Sequence, residues 1–228
     1  MASTLGFDVY GTLIDPLDIS TKLEAHLGDR APQFAQIWRD KQIEYLFRRA
    51  LMRDYRDFSS CTRQALVFTA RRLQANLSAD VQDALMAKYR ELPAYSDVPE
   101  ALARLSARGH AIYAFSNGQP DDLEYLLAHA GLDKHLDGIV SVHDVESFKP
   151  DPAVYKHFLD CTGAAAVDTF LISGNPFDII GAHAAGWNTV WVKRDPTAVF
   201  DPWGIEPTVT IAELGELIAS LERMNLLT

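Results

Sequence analysis

Ser3-Thr4-Leu5-Gly6-Phe7-Asp8-Val9-Tyr10-Gly11-Thr12-Leu13-Ile14-Asp15 decides the fold of this 228-residue chain. Leu5 and Phe7 form a short apolar run that ends in Asp8, and Gly11 breaks it three residues later. That pattern reads as a buried strand entering a tight loop. An aspartate at the carboxyl end of a parallel strand sits where open α/β sheets bind their ligands. Gly11 lets the backbone approach a bound group, and Thr12 adds a hydroxyl donor. Taken alone, Asp8 could equally cap a turn, so its meaning depends on the rest of the chain.

Beyond residue 97 the same signal recurs. His110 to Phe115, Gly138 to Val142, Thr169 to Ile172 and Thr189 to Val192 read as strands. Helices separate them, opened by Pro99 or Asp121 and closed by Gly109, Gly131 or Gly186. This alternation predicts an α/β fold, a Rossmann-like parallel sheet of five strands with helices on both faces. Residues 195–208 are Pro-rich and irregular, and Ile211 to Met224 reads as a closing helix.

Residues 16–93 differ, with helical periodicity and no convincing strand. Asp18 or Ser20 can cap a first helix, and Pro32 opens a long second one through Trp38, Tyr45 and Met52. Ser59 or Ser60 starts a third and Ser78 a fourth. The expected organisation is a core from residues 1–15 and 94–228, with a helical-bundle cap of residues 16–93 inserted after the first strand.

At 48% hydrophobic the chain can bury a large core. A net charge of −10, with no basic patch, argues against a nucleic-acid partner. No apolar run approaches the roughly 20 residues of a membrane helix, and seven residues before Asp8 leave no room for a signal peptide. Cys61 and Cys161 match neither metal-site nor disulfide spacing. A cytoplasmic protein with two reduced thiols is the expectation.

Asp8, Ser116-Asn117, Lys149 and Ser173 to Asp178 all follow strand ends, so they should converge at one edge of the sheet beneath the inserted helices. Singly each is an ordinary loop. Convergence of four separated segments is not.

The order of these segments resembles the haloacid dehalogenase superfamily, and its L-2-haloacid dehalogenase branch in particular. Residues 7–15 match the opening motif of that branch, and Trp38-Arg39-Asp40-Lys41-Gln42-Ile43-Glu44-Tyr45 resembles its cap-helix signature. Ser116-Asn117-Gly118, Lys149-Pro150-Asp151-Pro152 with Tyr155, and Ser173-Gly174-Asn175-Pro176-Phe177-Asp178 resemble the remaining three. The resemblance extends to about residue 194.

Phosphatases of this superfamily carry a second aspartate two positions after the nucleophile and hold Mg²⁺ with a carboxylate cluster. Here those positions are Tyr10 and Asn175, although Asp178 remains. Phosphoryl transfer leans on a metal to offset phosphate charge, whereas a halide leaves as a stable anion. Dehalogenation without metal or cofactor is therefore favoured. A phosphatase retaining Mg²⁺ through Asp8, a backbone carbonyl and Asp178, or a hydrolase of another small 2-substituted acid, are the alternatives.

The resemblance implies that short (S)-2-haloacids are converted to (R)-2-hydroxy acids. Asp8 would attack C2 to form an ester, positioned by Thr12. Arg39 would receive the halide, with Asn117 nearby. Ser116 and Lys149 would hold the substrate carboxylate, and Lys149 would favour ionised Asp8. Asp178, with Asn175 and Lys149, would activate the hydrolytic water. Tyr155 and Ser173 would orient Lys149 and Asp178, while Tyr10, Ile43, Phe58 and Phe177 would form apolar walls. Asp40 and Phe177 depart from residues frequent in the family, and an acid beside Arg39 could weaken its hold on a halide. A homodimer is the usual assembly in the family.

Overall fold

The computed structural model describes residues 3–224 and 226. The outermost residues of the expected core segment, namely 1, 2, 225, 227 and 228, lie outside the described residues. The elements follow in the order β1 (Thr4–Phe7), α1 (Ile19–Leu27), α2 (Ala31–Met52), α3 (Phe58–Arg72), α4 (Ala79–Tyr89), α5 (Val98–Ser106), β2 (Ala111–Ser116) and α6 (Pro120–His129). Then come β3 (Gly138–Ser141), α7 (Pro152–Thr162), β4 (Thr169–Ser173), α8 (Pro176–Ala184), β5 (Asn188–Val192), β6 (Val209–Ile211) and α9 (Leu217–Arg223).

The strands form one sheet of order β3-β2-β1-β4-β5-β6, with every neighbouring pair parallel. Leu5, Phe7, Ile112, Ala114, Leu171, Ile172 and Val190 are all fully buried. Adjacent residues of one strand are thus covered together, as a sheet with helices on both faces requires. Right-handed crossovers put α5 and α6 on one face, and the reversed direction after β3 puts α7 and α8 on the other. The sheet contains a sixth strand that was not expected. β6 occupies the three residues Val209–Ile211, so the closing helix starts later than Ile211, at Leu217.

Prolines in the first turn mark α2, α5, α6, α7 and α8, where a missing N–H costs nothing and φ is preset. Two caps differ from expectation. Asp57, not Ser59 or Ser60, caps α3 by accepting from Ser60 N at 2.6 Å. Asp15 caps the short 3-10 turn before α1, accepting from Leu17 N at 2.9 Å, and Asp18 makes no side-chain cap.

Helices α1–α4 all lie between β1 and β2 in the chain. Where the chain leaves and re-enters, Ile14 bridges Ala94 antiparallel, Asp15 N donates to Pro93 O, and Tyr95 N donates to Leu13 O. The two crossings therefore run side by side. Strand order reverses between β1 and β4, which makes their carboxyl ends the switch point of the sheet.

Candidate active site

Register brings the loops together. Phe7 pairs with Ala114 on one side and Ile172 on the other, so Asp8, Phe115 and Ser173 stand at one level at the carboxyl edge of three adjacent strands. Asp8 N still donates to Ile172 O at 3.0 Å, which anchors the nucleophile candidate to the sheet.

The Asp8 carboxylate accepts from three side chains. Thr12 Oγ1 and Asn175 Nδ2 donate to Oδ2 at 2.8 and 2.7 Å, and Lys149 Nζ donates to Oδ1 at 3.2 Å. Lys149 is 1% exposed, and its ammonium also donates to Asp178 Oδ2 and Phe115 O, both at 2.8 Å. All three of its protons are thereby placed. The ammonium also lies 4.1 Å from the centre of the Phe115 ring. Its backbone N donates to Asn117 Oδ1 at 3.0 Å, fixing the loop that carries it.

Asp178, in the first turn of α8, is fully buried. Its Oδ1 accepts from Tyr155 at 2.8 Å and its Oδ2 from Lys149. Burial pushes the Asp178 carboxyl above the usual range, and the Asp8 carboxylate adds to this, while Lys149 and Tyr155 pull it down. Burial, and then the Asp178 charge, raise the Tyr155 hydroxyl well above its ordinary value, so it remains a donor. Two glycines permit these contacts. A Cβ on Gly181 would lie 2.3 Å from the Tyr155 hydroxyl, and one on Gly174 would lie 2.2 Å from Gly11 O.

Asn175 occupies the N-cap of α8 but makes no cap hydrogen bond. Its Nδ2 instead donates to Asp8 Oδ2 and, at 3.0 Å, to Tyr10 O. Those are the two oxygens through which the Mg²⁺ alternative would bind a cation. An amide N–H between them supplies donors where a metal needs acceptors, so the residues present do not fit Mg²⁺. Asp178, the third ligand of that alternative, is taken up by Lys149 and Tyr155.

A narrow cleft opens onto this cluster, lined by Asp8, Arg39, Ser116, Asn117 and Asn175 with Tyr10, Ile43, Leu46, Phe58 and Phe177. Tyr10 stacks on Phe58 at 4.9 Å, and Phe177 meets Phe47 of α2 edge to face at 5.0 Å. Arg39 reaches in from α2, donating to Tyr10 O at 3.1 Å and to Gln42 Oε1 at 2.7 Å. Both partners are neutral, and among the described residues no carboxylate lies within salt-bridge distance of its guanidinium.

The expected residues divide into two layers. Asp8, Tyr10, Arg39, Ile43, Phe58, Ser116, Asn117, Asn175 and Phe177 line the cleft, whereas Thr12, Lys149, Tyr155, Ser173 and Asp178 stand behind it. Lys149, with its protons committed, faces Asp8 and Asp178 rather than the space where a substrate carboxylate would sit. Ser173 serves a different purpose from orienting Lys149 or Asp178: its Oγ accepts from Asn175 N at 3.1 Å and shapes that turn. Asp40 is exposed and accepts from Gln36 at 2.8 Å, because one helical step turns it away from the face that carries Arg39. Its charge does not oppose the cleft.

Two features escaped the sequence. Arg194, just past β5, donates to Thr12 O at 2.7 Å and to both oxygens of Asp97 at 2.8 Å, which clamps the loop after Asp8. Its position at the same strand-end edge was the available signal. Gln42, Thr62 and Tyr89 form a buried polar cluster behind Arg39. On their helices they read as ordinary inward-facing positions.

An open parallel sheet with a hydrogen-bonded aspartate at its switch point, a buried lysine joining it to a second aspartate, and a helical insertion reaching over both, is the architecture of an aspartate-dependent hydrolase. Residues 2–186 match the model of the haloacid dehalogenase-like hydrolases. The chain is 33% identical over 218 residues to an (S)-2-haloacid dehalogenase of Pseudomonas sp. strain YL, covering 96% of this chain and 94% of that one. An (S)-2-haloacid dehalogenase 4A of Burkholderia cepacia is also 33% identical, with 96% and 91% covered. The structure of L-2-haloacid dehalogenase from Xanthobacter autotrophicus with chloropropionic acid covalently bound superposes with a TM-score of 0.89 at 29% identity, over 98% of this chain and 99% of that one. The chain belongs to the haloacid dehalogenase-like hydrolases, in the L-2-haloacid dehalogenase branch.

Proposed function

We propose that this protein hydrolyses short (S)-2-haloacids to (R)-2-hydroxy acids and halide through an ester on Asp8. One observation carries the reading: a carboxylate held by three donors shares a narrow, partly aromatic-walled cleft with an arginine whose partners are uncharged. An anionic nucleophile and an anion acceptor lining one small space suit displacement of a halide at carbon.

An Asp8 oxygen attacks C2 from the face opposite the halogen. The new C–O bond forms as the C–X bond breaks, and the halide departs toward Arg39 and Asn117 with its electron pair. Lys149, Thr12 and Asn175 fix the carboxylate so that little reorganisation precedes attack. Ser116 and the loop around Asn117 hold the substrate carboxylate, while Lys149 acts from behind through Asp8. The walls formed by Tyr10, Ile43, Phe58 and Phe177 exclude water during this step.

Water then adds to the Asp8 carbonyl carbon and the ester C–O bond to the enzyme breaks, so the hydroxy acid keeps an oxygen from Asp8. Asp178 takes one proton of that water and returns it to the departing alkoxide, with Lys149 holding the Asp178 carboxylate and Asn175 orienting the water. The raised carboxyl of Asp178 makes it a better base than an ordinary aspartate. Residues 16–93 act as the cap and residues 1–15 with 94–228 as the core, a division supported by the paired crossings at Ile14 and Ala94. A homodimer belongs to the same reading and rests on the family resemblance, and a cytoplasmic location rests on the sequence features given above; no helix described is long and apolar enough to cross a membrane.

The deciding experiment measures halide release from both enantiomers of 2-chloropropionate, with and without chelator. Release from the (S) enantiomer alone, unaffected by chelator, is expected. Mg²⁺-dependent hydrolysis of p-nitrophenyl phosphate with no halide release would overturn the proposal.

A further inference from the structure

Gln42 is fully buried in α2 at a place where a polar side chain must justify its desolvation. Its oxygen Oε1 accepts from Arg39 Nη1 at 2.7 Å and from the Tyr89 hydroxyl of α4 at 3.1 Å. Its Nε2 donates to Thr62 Oγ1 of α3. Thr62 is also fully covered, and its own proton goes to Phe58 O at 2.7 Å.

That proton order leaves no freedom. Thr62 has spent its only proton on Phe58, so its oxygen can only accept, and it must face the amide nitrogen of Gln42. Gln42 Oε1 then points the other way, toward Arg39 and Tyr89. Arg39 can only donate, so a flipped amide would set N–H against N–H. Burial raises the Tyr89 hydroxyl, which keeps it protonated and donating. Three helices thus fix one acceptor oxygen, and that oxygen with Tyr10 O sets the plane of the guanidinium.

We infer that Gln42 is the positioning residue for the halide-receiving arginine, holding Arg39 with a neutral acceptor so that its full charge is left for the departing anion. This rests on the role given above to Arg39. A carboxylate at the same position would orient the guanidinium equally well but neutralise it, and an apolar side chain would leave both Arg39 Nη1 and the Tyr89 hydroxyl without their acceptor. Geometry and charge are therefore separable by substitution. The Tyr89 ring stacks on Tyr10 at 5.6 Å, so removing its hydroxyl alone loosens Gln42 while keeping the aromatic wall.

The test compares wild type with Gln42→Glu, Gln42→Met, Tyr89→Phe and Arg39→Lys. It reads kcat/KM for (S)-2-chloro-, 2-bromo- and 2-iodopropionate, product inhibition by bromide, and the thermal midpoint, at a pH of about 8 where an introduced carboxyl ionises. Partners that orient metal-binding side chains are typically worth 10–100-fold, and on that scale Gln42→Glu should weaken bromide inhibition roughly 10-fold. It should also lower kcat/KM for the chloro substrate roughly 10-fold more than for the iodo substrate, because the poorer leaving group needs the cation more. Gln42→Met should move both readouts the same way, and Tyr89→Phe likewise by a smaller factor. If Gln42→Glu or Gln42→Met fails to fold, Tyr89→Phe decides.

A loss equal for all three halogens, with bromide inhibition unchanged, would make Gln42 a packing residue and overturn the inference. Arg39→Lys separates this from a failure of the proposed function. If Arg39→Lys shifts the halogen dependence and the Gln42 variants do not, only the positioning role falls. If Arg39→Lys shifts neither readout, the arginine does not meet the halide and both assignments fall.

Discussion

Replacing Lys149 with methionine keeps the stem that fills the core and removes one buried charge. In the wild type that ammonium stands 3.2 Å from Asp8 and 2.8 Å from Asp178, with Lys149 itself 1% exposed and Asp178 not at all. Without it two carboxylates face each other in a site that water barely reaches. Removing one partner of a buried ion pair costs about 3–5 kcal/mol, far above an exposed pair. The loss should not be flat in pH. Burial already raises the Asp178 carboxyl, with Asp8 adding to it, and Lys149 is the strongest opposing influence. Taking Lys149 away lifts that carboxyl further in the folded chain only. A carboxyl raised by folding binds its proton more tightly in the folded state. Its favourable contribution is complete below the ordinary aspartate value and is lost as pH rises through the raised one. Urea titrations of both proteins should therefore show the gap largest near pH ~8 and shrinking toward pH ~5, by up to about 1.4 kcal/mol per pH unit for one proton. Adding Asp178→Asn to Lys149→Met should recover part of the loss, since one negative charge then disappears with the cation it needed. A pH-independent gap below about 1 kcal/mol would refute the reasoning.

Asp178→Asn should halt the reaction after ester formation, giving about one halide per subunit and an Asp8 peptide heavier by the substrate less hydrogen halide; steady turnover in this variant would remove Asp178 from the hydrolytic step. A single wild-type turnover in ¹⁸O-water should label Asp8 and leave the product unlabelled, whereas label in the first product would make Asp8 a base and water the nucleophile. Asn175→Asp replaces the donors facing Asp8 Oδ2 and Tyr10 O with acceptor oxygens, so calorimetry should detect new Mg²⁺ binding while dehalogenation falls. Normal dehalogenation without Mg²⁺ binding would show that this amide does not set the metal preference.

Four strands of the sheet were legible because their buried runs lead into Asp8, Ser116, Ser141 and Ser173 at the carboxyl edge, where open sheets gather their functional groups, and β5 because a β-branched and aromatic run follows Gly186. β6 was not, because three residues after a Pro-rich stretch are too few for either periodicity to register. The caps at Asp57 and Asp15 lie a few residues before the expected Ser59 or Ser60 and Asp18 or Ser20, because several neighbouring oxygens could serve and only the loop backbone chooses among them. Within the site, Asp8, Arg39, Asn175 and Asp178 were readable from motif and strand-end position. Gln42 stands in the same motif and on the helical face of Arg39, but its buried network did not show: its partners Thr62 and Tyr89 stand 20 and 47 residues away on other helices. The split between cleft-lining and supporting residues was hidden for the same reason. Whether Lys149 spends its protons on substrate or on its neighbours depends on contacts 141 and 29 residues apart in the chain.

The charges of the site explain how one fold can turn from phosphate to halide. Asp8 and Asp178 stand against Lys149 and Arg39, two negative groups and two positive ones. A haloacid brings a single negative charge. In the proposed mechanism the charge of Asp8 passes to the halide beside Arg39, so the total within the cleft is unchanged while the charge migrates from one side to the other. No further cation is required at any point. A phosphate monoester would bring up to two negative charges to the same aspartate, and a divalent metal offsets such charge elsewhere in phosphoryl transfer. Here the seat for such a metal, between Asp8 Oδ2 and Tyr10 O, is spanned by the Asn175 amide. The same Tyr10 oxygen accepts from Arg39. One peptide carbonyl thus receives both the amide that stands in the metal's seat and the arginine proposed to meet the halide, and it joins the helical insertion to the sheet at that point.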